Sequence, residues 1–260
     1  MAARRVRAGV ERALERRLGV DTAEHVYHED LGVATENRVW HDPSAWLALR
    51  RALRRLTPTE DDVFVDYGSG LGRALLVAAE LPFRRIIGVE VSEALNERAR
   101  ANISRKAGRA RCNDVELVAA DALEWDVPPD VTVAYLYCPF TGDVFDGVLA
   151  RMLASIDEHP RPLRLVYNYP VEHERVLASG RVRLLDAISS VWPPGSLRAP
   201  EVILTYLALP CDASLADEYI ARFPRRLRRG RHWLGPYRPH FVLEKPARLG
   251  GVVLDAESKS

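Results

Sequence analysis

Asp66, Gly68, Gly70, Gly72 and Glu90 are the residues whose types and spacing first suggest chemistry. Four of them lie in Val63-Phe-Val-Asp-Tyr-Gly-Ser-Gly-Leu-Gly-Arg73, and Glu90 ends Ile86-Ile-Gly-Val-Glu90 about twenty residues on. Glycine lets a chain turn sharply and approach a ligand with no Cβ in the way. A carboxylate ending the next strand is placed to hold ribose hydroxyls. The order of buried strand, acid, glycine turn, Ala/Leu-rich helix, strand and acid is that of a nucleotide-binding βαβ half.

The dinucleotide fingerprint G-x-G-x-x-G/A needs a small residue where this chain has Arg73. The shorter G-x-G-x-G spacing, preceded by Asp66, resembles motif I of the class I S-adenosylmethionine (SAM)-dependent methyltransferases. Val115-Glu-Leu-Val-Ala-Ala-Asp121-Ala122 is similar to that superfamily's third strand and adenine-side turn. Val131-Thr-Val-Ala-Tyr-Leu-Tyr137-Cys-Pro-Phe140 is similar to its fourth strand and catalytic loop. The match spans roughly residues 55–210, and its phrasing is nearest to small bacterial members distantly like the Dot1-type lysine methyltransferases. The resemblance implies a Rossmann-like α/β fold: a seven-stranded, mostly parallel sheet, helices on both faces, an antiparallel last strand and an N-terminal helical lid. It also implies SAM as cofactor. Asp66 would then meet the methionine ammonium, Gly68, Gly70 and Gly72 would form the methionine-side turn, and Glu90 would hold the ribose. Asp121 would accept from the adenine amine, Ala122 would lie near the ring, and Cys138 would be a further cofactor-binding residue whose backbone, with the Phe140 ring, shapes the acceptor slot.

Methyl transfer is an in-line displacement in which positioning supplies much of the acceleration. Amino-methyltransferases of this superfamily carry Asn/Asp-Pro-Pro-aromatic, and small relatives Tyr-Asn-Pro-Phe, where this chain reads Tyr137-Cys-Pro-Phe140. A thiol is a weak hydrogen-bond partner, so Cys138 does not replace an amide in gripping an amine. Its other reading is a small buried residue. Tyr167-Asn-Tyr-Pro170 is followed by Glu172 and His173, both of a type fit for a general base; Glu172 also suits the first turn of a helix. His25, His28 and His41 lie upstream, where a lid would bring a neutral imidazole to the acceptor. The pair His25-x-x-His28 has no third ligand at a known spacing, so no metal is expected. The catalytic candidates are therefore His28, His173 and Tyr137.

These residues need a frame. Strands are expected near 63–67, 85–90, 115–119, 131–137, 163–168, 181–187 and 201–208, and helices near 71–80, 93–107, 142–157 and 171–178. Such alternation argues for a parallel sheet covered on both faces. Val6, Val10, Leu14 and Leu18 make one apolar stripe on a helix over 4–18, and Trp46, Leu49, Leu53 and Leu56 face inward from a helix over 44–56. Three parts follow: a lid and acceptor segment (1–56), a SAM-binding core (57–210) and a basic extension (211–260). The extension holds a helix over 214–223 with Ser214 as N-cap, then an arginine run from Arg222 to Arg231 with Trp233 and Tyr237, and a disordered end over 255–260.

The 260 residues carry a formal net charge of +1, which gives no global reason to expect nucleic acid or an anionic membrane. Three scattered cysteines make neither a disulfide framework nor a zinc motif, and a reducing cytosol is the simplest compartment. No apolar run approaches the ~18 residues of a membrane span. By elimination, the expected acceptor is an oxygen or nitrogen of a small molecule, ahead of protein, with nucleic acid disfavoured. A homodimer through the terminal segments is a further expectation. The alternatives are a protein-lysine N-methyltransferase, with Tyr137, Phe140 and Trp192 lining its channel, and a non-catalytic SAM-binding or nucleic-acid-binding protein.

Overall fold

The structure is a computed structural model that describes residues 2–24, 44–106, 110–190 and 201–227, with two further short strands at 248–249 and 252–253. The segment carrying His25, His28 and His41, Trp192, the arginine run from Arg228 with Trp233 and Tyr237, and the stretch 255–260 lie outside the described residues.

Seven strands form one sheet: β1 (Val63–Tyr67), β2 (Arg85–Glu90), β3 (Val115–Ala119), β4 (Val131–Tyr137), β5 (Leu163–Asn168), β6 (Val182–Ser190) and β7 (Glu201–Ala208). Their order is β3-β2-β1-β4-β5-β7-β6. The first five pair in parallel, whereas β7 runs antiparallel to both β5 and β6. The chain reverses strand order at β1 and β4, which opens a crevice beyond their carboxyl ends.

Alternation along β1 divides the core. Val63, Val65 and Tyr67 face one cluster, in which α5 (Gly142–Glu158) contributes Phe145, Val148, Leu149, Met152 and Ile156. Phe64 faces the other, built from Trp46, Leu49 and Leu53 of α2 (Trp46–Arg55) and from α3 (Arg73–Ala78). Period-two side chains on a strand buried on both faces give this two-layer core. The remaining helices are α1 (Ala2–Leu18), α4 (Glu93–Lys106), α6 (His173–Ala178) and α7 (Ala213–Arg222).

Some boundaries differ from those expected. Helix α3 starts at Arg73 rather than 71, because the preceding residues stay in a turn closed by the Gly72 N–H on the Ser69 carbonyl (2.8 Å). Helix α6 starts at His173 rather than 171, because the Val171 N–H is held by the Tyr169 carbonyl (2.9 Å). Asp212, not Ser214, caps α7: its carboxylate accepts from the Ser214 and Leu215 N–H groups at 2.8 and 3.1 Å. A carboxylate there also complements the helix dipole.

Candidate functional site

The crevice is built around the turn after β1. The Gly68 and Ser69 N–H groups donate to the Val89 carbonyl (2.8 and 3.2 Å), which ties the turn to β2. Gly70 sits at φ 51° and donates its N–H to Glu90 Oε2 at 3.0 Å. Glu90 Oε1 accepts from the Ser92 N–H, also at 3.0 Å. Gly68, at φ 73°, is needed for a second reason. A Cβ there would stand 2.9 Å from Pro139 Cβ, so only glycine lets the turn touch the loop after β4.

Asp66 and Glu90 are both buried at this turn. Burial, and then the charge of Glu90, push the Asp66 carboxyl up to about 8. A carboxyl whose folded value is raised contributes stability fully present below its unfolded value and lost as pH rises through the folded one. The window here runs from 3.8 to about 8. In ligand-free protein, Asp66→Asn should therefore flatten the fall of unfolding free energy across that window. The variant should be the more stable protein at pH 9, by several kcal/mol at about 1.36 kcal/mol per unit. Urea titrations at pH 5, 7 and 9 that give parallel curves for the two proteins would remove the claim.

After β3, Asp121 Oδ1 accepts the Leu123 N–H at 3.0 Å, and Ala122 is buried in the same cluster as Cys138 and Phe140. After β4, Cys138 adopts φ 42°, a left-handed conformation uncommon outside glycine and asparagine. Its thiol is pushed up to about 12 by burial and the charge of Glu172, and it shares a hydrogen bond with the Tyr167 hydroxyl. It is a neutral packing group rather than a nucleophile. Half-buried Tyr137 packs against the α2-side core and pairs in register with Asn168.

The loop after β5 corrects one candidate. His173 is buried, its Nδ1 is 2.6 Å from the Tyr206 hydroxyl, and burial pushes it down to about 4. Such an imidazole is a structural partner of β7 and too weak a base for a protonated amine. Glu172 instead accepts the Gly142 N–H (2.8 Å), one of the donors that the first turn of α5 leaves open, and pairs with Arg175 at 3.0 Å. Tyr169, at φ 52°, remains 44% exposed beside Val171 at 37%.

Two connections were not anticipated. The Asn168 amide donates to the Tyr135 hydroxyl (3.1 Å), which lies 2.6 Å from the Ser44 hydroxyl, so the start of α2 reaches the crevice side of β5. Arg73, buried at the start of α3, gathers the N-terminal segment. It donates to Thr22 Oγ1 (2.8 Å), Glu11 (3.0 Å), Glu15 (2.9 Å) and the Ser44 carbonyl (2.7 Å), and its guanidinium lies 5.2 Å from the Trp46 ring centroid. The one signal for it in the sequence is an arginine where a dinucleotide fold carries glycine or alanine.

Residues 46–116 match the family model described as histone methylation protein DOT1. No curated protein matches the chain. TrmN from Thermus thermophilus is similar in structure at 17% identity and TM-score 0.50, covering 64% of this chain and 49% of its own. An RNA methyltransferase from Salinibacter ruber in complex with S-adenosyl-L-homocysteine is 24% identical at TM-score 0.45, covering 64% of this chain and 94% of its own. An rRNA methylase from Streptococcus thermophilus is 14% identical at TM-score 0.44, covering 63% and 93%. With RNA methyltransferases among the similar structures, the expectation that a small molecule outranks other acceptors and that nucleic acid is disfavoured is withdrawn. A near-zero net charge averages over the chain and cannot exclude a local basic surface. Among the described residues, no helix is long and apolar enough to cross a membrane.

Proposed function

We propose that this chain, a member of the class I S-adenosylmethionine-dependent methyltransferase superfamily, methylates the side-chain amine of a protein lysine. The observation that carries the transferase reading is the convergence at one sheet edge of Asp66, the Gly68–Gly72 turn, Glu90, Asp121 and the Cys138–Phe140 loop. SAM supplies the activated methyl group. The residues fit it: burial and the charge of Glu90 hold a proton on Asp66, and an arriving cation relieves both as Asp66 gives that proton up. Glu90 accepts the Gly70 and Ser92 N–H groups, which hold its carboxylate at the end of β2, where an acid is placed to meet ribose hydroxyls. Cofactor affinity should accordingly rise with pH up to about 8, since Asp66 must ionise to meet the ammonium.

Two observations support lysine as acceptor. The family match concerns methylation of a protein. The exposed Tyr169 and Val171 stand at the end of β5, the strand beside β4 and its Phe140 loop, and apolar groups of this kind suit the methylene stem of a lysine. With SAM bound, a neutral amine held there would take the methyl group by in-line displacement, the N–C bond forming as the C–S bond breaks, and the nitrogen would release its proton to solvent water. In this reading residues 1–56 cover the crevice, 57–210 bind SAM and 211–260 form an extension. An RNA acceptor is the second reading, supported by Arg222, Arg225 and Arg226 on that extension. Incubation with tritiated-methyl SAM and separated protein and RNA fractions of a lysate tests both. Label should enter protein and survive ribonuclease. Label confined to ribonuclease-sensitive material would replace the lysine reading with the second.

A further inference from the structure

On the α2 face of the sheet, between the end of α2 and the end of α7, a cavity of about 140 Å³ is lined by four arginines. Arg55 comes from α2, Arg164 from β5, and Arg222 and Arg226 from α7 and the segment after it. Arg164 is the second residue of β5, so the cavity stands at the other end of that strand from Asn168 and the crevice. The volume is well above the roughly 10–15 Å³ that a single water needs.

The charges do not balance. Arg55 is held bidentately by Asp186 at 2.6 and 2.9 Å. Arg164 pairs with Asp62 and donates to the Leu56 carbonyl at 3.0 Å. Among the described residues, Arg222 and Arg226 meet no carboxylate; Arg226 donates to the Arg55 carbonyl instead. Two guanidinium charges are therefore in excess. Arg222 and Arg226 act on Arg164 through space, depressing its proton affinity below the usual arginine range after burial has done so.

Three features point to a ligand rather than to solvent. Arg164 is buried, and its Nε–H has no hydrogen-bond acceptor. A buried donor left unmet costs about 1–3 kcal/mol, and an anion in the cavity would relieve that cost. Phe223 holds two guanidiniums against its ring, Arg164 at 5.3 Å and Arg222 at 5.5 Å from the centroid, which fixes their planes in advance. Thr57, on the cavity wall, holds φ 49°, which a β-branched residue adopts only under local constraint. The Thr205 hydroxyl lines the same space.

We propose that this cavity is a binding site for a phosphate group, distinct from the methyl-transfer crevice and independent of which acceptor that crevice takes. Planar guanidinium forks match phosphate oxygens bidentately, and four of them over one cavity provide more donors than Asp186 on its wall and Asp62 behind Arg164 use. The phosphate comes either as a free or small-molecule phosphate or as part of a nucleic-acid backbone.

The test is calorimetric titration of the full chain with inorganic phosphate, at constant ionic strength against a chloride control. The Arg222→Gln/Arg226→Gln double variant is run beside it. A parallel arm titrates a ten-nucleotide single-stranded RNA with and without phosphate as competitor. Phosphate should bind the natural protein above the chloride control and weaken at least about tenfold in the double variant, while SAM affinity and the circular dichroism spectrum stay unchanged. RNA displaced by phosphate and weakened by the same substitutions assigns the backbone as the source; phosphate binding with no such RNA binding assigns a small phosphate. The proposal is overturned if phosphate adds nothing beyond chloride, or if the double variant binds it as tightly as the natural chain. Neither result touches the methyltransferase reading, because SAM binding is scored separately.

Discussion

Gly70→Val should abolish detectable SAM binding, with a loss of at least a hundredfold, or about 2.8 kcal/mol at 1.4 kcal/mol per tenfold. Two effects combine at this one position. The backbone holds φ 51°, and a left-handed conformation costs an L-residue roughly 1–2 kcal/mol, more for a β-branched one. Relief of that strain would pull the Gly70 N–H from Glu90, which it now anchors at 3.0 Å. The new branched side chain would also stand where the cofactor's methionine end must approach. The sheet does not depend on this turn, so circular dichroism should persist with a lowered Tm. Calorimetry that finds normal SAM affinity in the folded variant would put the cofactor elsewhere. A natural chain that bound a nicotinamide dinucleotide and not SAM would overturn the reading of the short glycine spacing itself.

Arg73→Ala should cost about 3–5 kcal/mol of folding stability, because removing one partner of a buried ion pair leaves the other charge uncompensated. Glu15 is buried with Arg73 and would keep, among the described residues, only Thr22, whose N–H and hydroxyl it accepts at 2.9 and 2.6 Å. Thermal and urea unfolding measure the loss. Adding Glu15→Gln should recover part of it, since the stranded charge is then gone. A single variant within 1 kcal/mol of the natural protein would show that the N-terminal helix is held by its apolar stripe instead. The substitution also separates two roles that deletion of residues 1–42 would confound. Such a deletion would remove the proposed cover and, at the same time, the Glu11 and Glu15 carboxylates that neutralise Arg73.

The sheet was largely legible because its strands are short runs rich in Val, Ile, Leu and Tyr bounded by turns, as at Leu163–Asn168 and Val131–Tyr137. The antiparallel last strand followed from the family resemblance, not from residue patterns, and the order of the strands was not part of the expectation. The glycine turn was legible because positive φ demands glycine locally. Connections between distant residues were not. Nothing local in Glu11, Glu15 and Thr22 announces that one arginine 51 to 62 residues on will meet all three. His173 illustrates the converse. Its residue type and position at a strand end argue for a base, and only the hydroxyl of Tyr206, 33 residues away, shows it sealed in the core. The thiol at Cys138 was readable in both senses from type alone, and its burial and its bond with Tyr167 decide between them.

The position of β7 between β5 and β6 has a consequence for biosynthesis. Strand β6 leaves the ribosome before β7, yet among the described residues β7 is its only partner in the sheet. Until Ala208 has emerged, the nascent chain holds a strand with no neighbour, and an open β5 edge whose six residues are all buried in the finished fold. Unpaired, apolar strand edges recruit other chains. A message truncated anywhere between the codons for β6 and the end of β7 therefore encodes an aggregation-prone polypeptide, even though every residue of the glycine turn and of both crevice loops has already been made.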